Sequence, residues 1–480
     1  MTRCRPLNRK RKQNPIRCGH DPAGLRSALC RDSVRNGYAL SRCVAPRCRK
    51  PTHEPPICAR SVPKAALARP LPTCQTRKKG RLNFLYPAKG DVQPAYDLTG
   101  RRLYIELAEP LESGCAVELE LMYRIEIPPI RTGVDAYKGF FGHSARQINL
   151  GHWLPTVAER MGNEWITRQP IFVGEQEVIG MADWHVSLTL KNAPDSVLIA
   201  APGMVEETAD GGWLYTLNNA RDFTISIGDG FKRAQAQAEG GAMIEVYTFD
   251  DATLYAASGI IDGANHALNV GLRAFESYEK LFGHYLYDRL VIVQGDFPDG
   301  MEFSGMVFVS TDWFKGWSGQ PNEFLTLITV HEVSHQWWYA RVGNDPAMSP
   351  WLDEALSTYS EYIFIEEYFP NLKDWWWEFR VRSHTPQGYV DSTVYEFTSI
   401  REYINAVYLR GVMMLHAVRM DIGTEAFFEL LRRYADVNSD KIAGATQFWS
   451  LMTPEQIKAT ENTRRAFLRR ANFISAGTSN

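Results

Sequence analysis

Two stretches decide the fold: HEVSHQWW at residues 331–338 and WLDEALSTYSEY at residues 351–362. The apolar pattern from about Asn322 to Arg341 predicts one helix, ended by Gly343. Histidines at i and i+4 project from the same helical face, so His331 and His335 can reach a single ion. Glu332 follows the first of them and lies beside that ion without ligating it, where a general base is needed. Two histidines leave a catalytic zinc short of its usual three protein ligands and open position. Glu354 lies 19 residues after His335 and completes the set. Ser349-Pro350 announces a second helix that runs to the residue before Pro370 and carries Glu354 about one turn in. A tight helix–loop–helix then returns the glutamate to the ion.

Upstream, residues 257–282 form a long mixed helical stretch stopped by Gly283. LVIVQ (290–294) is a short buried strand, and GMEFSGMVFVS (300–310) has the pattern of another. Earlier still the period changes to two. Val117, Leu119, Leu121, Tyr123, Ile125 and Ile127 alternate with mostly charged residues, as a half-buried strand requires. Strand-like runs recur at Trp184 to Leu190, Ser196 to Ala200 and Phe223 to Ile227, separated by turn clusters. The expected class is therefore α+β and multi-domain. Residues 82–236 form an antiparallel β domain, and 237–480 form a mainly helical catalytic domain.

Residues 1–81 stand apart. They carry 21 Lys/Arg against three acids, while the remainder carries 32 against 52 and is strongly acidic. An acidic body gives no attraction to nucleic acid or anionic membrane. Seven of the eight cysteines also lie in the first 81 residues, leaving only Cys115 in the body. The body then has no internal disulfide, which suits a reducing compartment without requiring one. No CxxC pair supports a zinc ribbon. No apolar run is long enough to span a membrane, and the first 30 residues lack the apolar core of a secretory signal. The basic stretch is expected to be a disordered extension, or a segment wrongly included by the gene model. Neither compartment nor oligomeric state is marked in the sequence.

HEVSHQWW followed by WLDEALSTYSEY resembles the gluzincin peptidases of the aminopeptidase N and leukotriene-hydrolase family, whose pattern is HExxHQW then WLNEGFAxYxE. The resemblance implies that His331, His335 and Glu354 bind one Zn²⁺ and that Glu332 is the catalytic base. It also implies a saddle-shaped β domain before a thermolysin-like domain. The family asparagine before the third ligand is Asp353 here. A second family motif, GxMEN, resembles Gly300-Met301-Glu302-Phe303, and implies that this strand binds substrate, with Glu302 on its free α-amino group. Phe303 replaces the asparagine. A third, YxKG, is similar to Tyr408-Leu409-Arg410-Gly411 and implies that Tyr408 stabilises the oxyanion. The large helical domain of many relatives has no expected counterpart after about residue 440, which implies an open cleft. The expected function is a zinc aminopeptidase acting on peptides. The alternatives are an endopeptidase or other metallohydrolase on the same fold, and a catalytically silent binding protein.

Overall fold

The computed structural model describes residues 95–471 apart from 108–109, 131–138 and 257–258, with the backbone of three earlier strands. The first part of the chain is built from antiparallel sheets. In one, Ala182–Leu188 pairs with Trp213–Ala220, and Met204–Glu207 lies outside them. Trp184, Val186 and Leu188 are buried and alternate with half-buried neighbours, the period-two pattern of a strand with one face on a core. A second sheet runs Val197–Ala200, Ile225–Asp229, Gln147–Leu150 and Phe141–His143. The alternation from Val117 is strand only over Leu121–Glu126.

Within residues 1–81 the backbone of three strands is described. Ala28–Arg35 and Tyr38–Val44 pair antiparallel with each other, the first lying parallel to Ala182–Leu188 and the second antiparallel to Leu121–Glu126. Lys64–Ala68 pairs with Arg102–Glu106. Ladders are made by backbone groups, so a basic composition does not forbid them. Asn36-Gly37 separates the first two strands in sequence, and that dipeptide is the strongest short-range hairpin signal. The rest of 1–81 lies outside the described residues.

The catalytic part begins with a five-stranded sheet in the order Lys232–Gln237, Met243–Thr248, Arg289–Gly295, Met306–Ser310, Gly300–Phe303. Its first strand places the start of this unit near residue 232 rather than 237. The run 300–310 is not one strand but an antiparallel hairpin, because Ser304 and Gly305 turn the chain. Gly300–Phe303 is thereby the edge strand of the sheet. Helix Gly263–Phe282 is capped by Asp262, whose Oδ1 accepts from the Asn265 N–H at 3.0 Å, and ends at Gly283. It packs on Phe324–Ser334, which in turn packs on Trp351–Tyr368, the two helices that carry the motifs. Tyr278 ties it to the second of these, its hydroxyl donating to the Ser360 carbonyl at 2.9 Å.

One buried cation joins the two parts. Arg221 is 1% exposed; its guanidinium donates to the carbonyls of Ile179 at 2.8 Å, Tyr339 at 2.5 Å and Lys441 at 3.0 Å. A Cβ on Gly343 would lie 2.4 Å from that guanidinium, so glycine is needed there. Removing the donor strands two buried carbonyls, those of Ile179 and Tyr339, and hydrogen bonds to charged groups contribute about 1.5–3 kcal/mol each. After allowing for desolvation of the guanidinium, Arg221→Met should cost about 3 kcal/mol and lower the urea midpoint. An unchanged midpoint would contradict the role given to Arg221.

Candidate active site

Helix Phe324–Ser334 is buried from Leu325 to Ser334, so it is enclosed on every side rather than amphipathic. Each polar side chain on it must then find a partner. After Ser334 the coil widens over Gln336–Arg341. Ala340 donates to the His335 carbonyl and Val342 to that of Trp337, five residues back in each case. Such π-type turns are frequent at functional sites. The widened turn aims Gln336 at the edge hairpin. Its side-chain N–H donates to the Phe303 carbonyl at 3.0 Å, and its oxygen accepts from the Gly305 N–H at 2.9 Å. The two tryptophans lock the turn. Trp337 donates to the Gly283 carbonyl at 2.7 Å and Trp338 to the Ser360 hydroxyl at 3.1 Å.

The structure brings the three expected ligands together. His331 Nε2 lies 3.5 Å from Glu354 Oε2, and His335 Nε2 lies 3.8 Å from the same oxygen. One donor atom from each residue falls within 4.8 Å of the others. Bonds of about 2.0–2.1 Å in a tetrahedron put neighbouring donors roughly 3.4 Å apart, so the set fits zinc closely. Ser349 does not cap the second helix through its side chain; it is the Ser349 and Pro350 carbonyls that take its first N–H groups.

Both histidines are held by their other nitrogen. His331 Nδ1 lies 2.9 Å from Glu361, and His335 Nδ1 lies 2.7 Å from Asp353. A carboxylate on Nδ1 fixes the tautomer that leaves Nε2 free for metal and makes the ring more basic. Arg380 in turn grips Glu361 with two bonds, at 2.9 and 2.8 Å. Burial works against a charged His331, yet its bonds to Glu354 and Glu361 push its pKa up to about 10. The negative charge that would hold a proton there also favours a metal cation. Burial likewise opposes an ionised Glu354. His331, His335 and Tyr408 outweigh it and keep that carboxyl below its usual range, as a ligand requires.

Glu332 lies beside the ligands with its Oε2 buried and without a hydrogen-bond partner. Its other oxygen occupies the space above Gly300, where a Cβ would approach it to 2.2 Å. The backbone of the edge strand is therefore the wall against which the base rests. Glu302 shares this face, grouped with Glu332 and His335. Met301 and Phe303 do not. The pleat turns them into a separate apolar cluster with Phe297 and Phe308, and Phe303 also packs on Phe140 and His152. Met301 is thus a core residue rather than part of a substrate surface. Tyr408 stacks parallel to His331, ring centres 6.2 Å apart, with its hydroxyl directed at Glu354.

Sequence reasoning missed four residues of this site. Glu361 lies two helical turns after Glu354 on the same face, a spacing that could have revealed it. Asp353 was noticed without a role. Glu175 and Arg380 come from distant segments that carry no pattern. In addition, the five-letter motif fits residues 299–303 better, so that Asp299 stands at its first glycine.

Residues 266–467 match the model described as the peptidase family M1 domain. Aminopeptidase N of Lactobacillus delbrueckii subsp. lactis is 24% identical over 208 residues, which is 39% of this chain and 24% of that protein. Mouse endoplasmic reticulum aminopeptidase 1 is 24% identical over 282 residues, 55% of this chain and 29% of that protein. The chain thus spans roughly a quarter of the length of these curated relatives. Among solved structures, the M1 zinc metallopeptidase from Deinococcus radiodurans superposes with a TM-score of 0.63 at 16% identity, covering 92% of this chain and 93% of that one. At that identity the likeness establishes a common fold: an antiparallel β domain followed by a helical domain. Residues 266–467, which hold HEVSH and Glu354, thus match the M1 peptidase domain, and the chain as a whole shares the fold of the M1 zinc metallopeptidase.

Proposed function

We propose that this chain is a zinc aminopeptidase that removes residues from the free N-terminus of peptides. The observation that carries this reading is a buried carboxylate beside the base, Glu302, with a second acid, Glu175, as its strongest charged neighbour. Glu302 and Glu175 are each pushed well above the usual carboxylate range, by burial first and then by their acidic neighbours. Among those neighbours Glu302 feels Glu175 most. Carboxyls raised this way resist ionisation, and the α-ammonium is the group on a peptide that offsets their charge. A chain interior offers only neutral amides there. Glu175 belongs to the β domain, so both parts of the molecule build the pocket.

When present, zinc supplies Lewis acidity, making water a nucleophile near neutral pH and polarising a carbonyl. The chain's own residues do the rest. Glu302 and Glu175 hold the α-ammonium and so set which peptide bond lies against Glu332. The free Oε2 of Glu332 accepts the proton of the attacking water and delivers it to the departing amine. Tyr408 stays protonated, its pKa held well above normal by burial and by Glu354, and donates to the oxyanion as the carbonyl becomes tetrahedral.

A free peptide should be cleaved and its N-acetylated twin left intact; equal cleavage of both would remove the exopeptidase reading. Glu302→Ala should lower kcat/KM on the free peptide by roughly 30-fold or more, since losing one side of a buried charge pair costs about 2 kcal/mol or above. Tyr408→Phe should lower kcat about 10²–10³-fold, as for loss of one oxyanion donor, with zinc retained. Asp353→Asn and Glu361→Gln should each weaken zinc binding about 10–100-fold in a chelator competition, because they act on the ligands and not on substrate. Unchanged affinity in both would show that the carboxylates do not orient the imidazoles.

A further inference from the structure

Asp299 is a charged residue at the cleft that the mechanism above does not use. It lies immediately before the edge strand, with a left-handed φ of 70° that glycine adopts most freely and that Asp and Asn tolerate better than other side chains. Its carbonyl accepts from the Ser310 N–H at 2.8 Å, which fixes the turn. The residue is exposed, and no hydrogen bond or ion pair of its carboxylate occurs among the described contacts. Its electrostatic neighbours are Arg380, His331, Glu354 and Glu361. The nearest available cation is already taken, since Arg380 grips Glu361 with both arms. What marks the residue is therefore not its backbone but its carboxylate, which stands at the cleft without a partner among the described contacts.

The position along the strand says what that use is. Glu302 sits on the His335 side of the metal set and Asp299 on the His331 side, with Glu332 packed on Gly300 between them. A peptide whose ammonium lies at Glu302 has its scissile bond at Glu332. The chain beyond that bond must then continue toward Asp299. Strand residues rise about 3.3 Å each, so Asp299 lies roughly 10 Å along from Glu302. That is about the distance from a peptide's α-amino nitrogen to the side chain of its second residue.

We propose that Asp299 selects the residue after the scissile bond, favouring a lysine or arginine there and disfavouring an acid. The inference rests on the aminopeptidase reading, because it takes the ammonium at Glu302 as the origin. An uncompensated carboxylate at this distance attracts a cationic side chain and repels an anionic one, and partial desolvation in a cleft strengthens both effects.

The test uses the zinc-loaded full chain and three peptides, Ala-Lys-Ala-Ala, Ala-Leu-Ala-Ala and Ala-Glu-Ala-Ala. Kd is measured calorimetrically on the Glu332→Gln protein, which binds without turning over, and kcat/KM on the native protein. Lysine should be preferred over glutamate by about tenfold or more in both. Asp299→Asn, which keeps the shape and tolerates the left-handed backbone, should bring the ratio near one. Asp299→Gly, which suits the left-handed backbone, should do the same without loss of thermal stability. A Lys/Glu ratio unchanged in both variants would overturn the proposal. Binding and turnover keep the two ideas separate: equal cleavage of acetylated peptides strikes the aminopeptidase reading, whereas an unaltered Lys/Glu binding ratio strikes only the role of Asp299.

Discussion

The constraint on which the site depends is the amount of negative charge gathered in one place. Glu175, Glu302, Glu332, Asp353, Glu354 and Glu361 all meet around two histidines, and every one but Glu175 and Glu354 is less than a tenth exposed. Buried like charges are costly unless cations accompany them. Arg380 covers Glu361. A divalent ion at His331, His335 and Glu354 covers Glu354 directly and Asp353 through His335. Three carboxylates are left, and the proposed function uses them: Glu332 as the base, Glu302 and Glu175 as the seat of an ammonium. Metal and substrate would together offset part of this negative charge, which links the fold to the chemistry.

The scaffold around this site explains how such charge is kept in position. The HEVSH helix is enclosed on all sides, and Gln336 pins it to the edge hairpin that carries Glu302. Glu332 and Glu302, the proposed base and amine seat, are therefore fixed relative to one another by one side chain's two hydrogen bonds. Arg221 then fastens the β domain, which supplies Glu175, to the same region. A catalytic constellation needs supports of this kind, because a misplacement of about 1 Å can cost 10²-fold in rate.

What the sequence made legible follows from how local each signal is. Histidines four apart, a glutamate one turn into a proline-started helix, and a period-two β domain are short-range patterns, and the fold class was readable from them. The helix pair and its bounds, Phe324–Ser334 and Trp351–Tyr368, lie close to expectation. Residues whose role comes from long-range contact were not readable. Arg380 and Glu175 reach the site from segments with no motif, and Arg221 carries no sign of its burial. Met301 was misplaced because the motif was taken as a block, whereas a strand sends alternate residues to opposite faces. Within residues 1–81 the local signal is the Asn36-Gly37 dipeptide between Ala28–Arg35 and Tyr38–Val44, set in a basic, cysteine-rich composition.

The most direct measurement is zinc-edge X-ray absorption on the metal-loaded full chain. The expected first shell contains two imidazole nitrogens and light oxygen donors, all at about 2.0–2.2 Å, with the imidazole scattering halved in His335→Ala. A sulfur shell near 2.3 Å, or a spectrum with no imidazole scattering, would contradict the assignment of His331, His335 and Glu354 as the metal site.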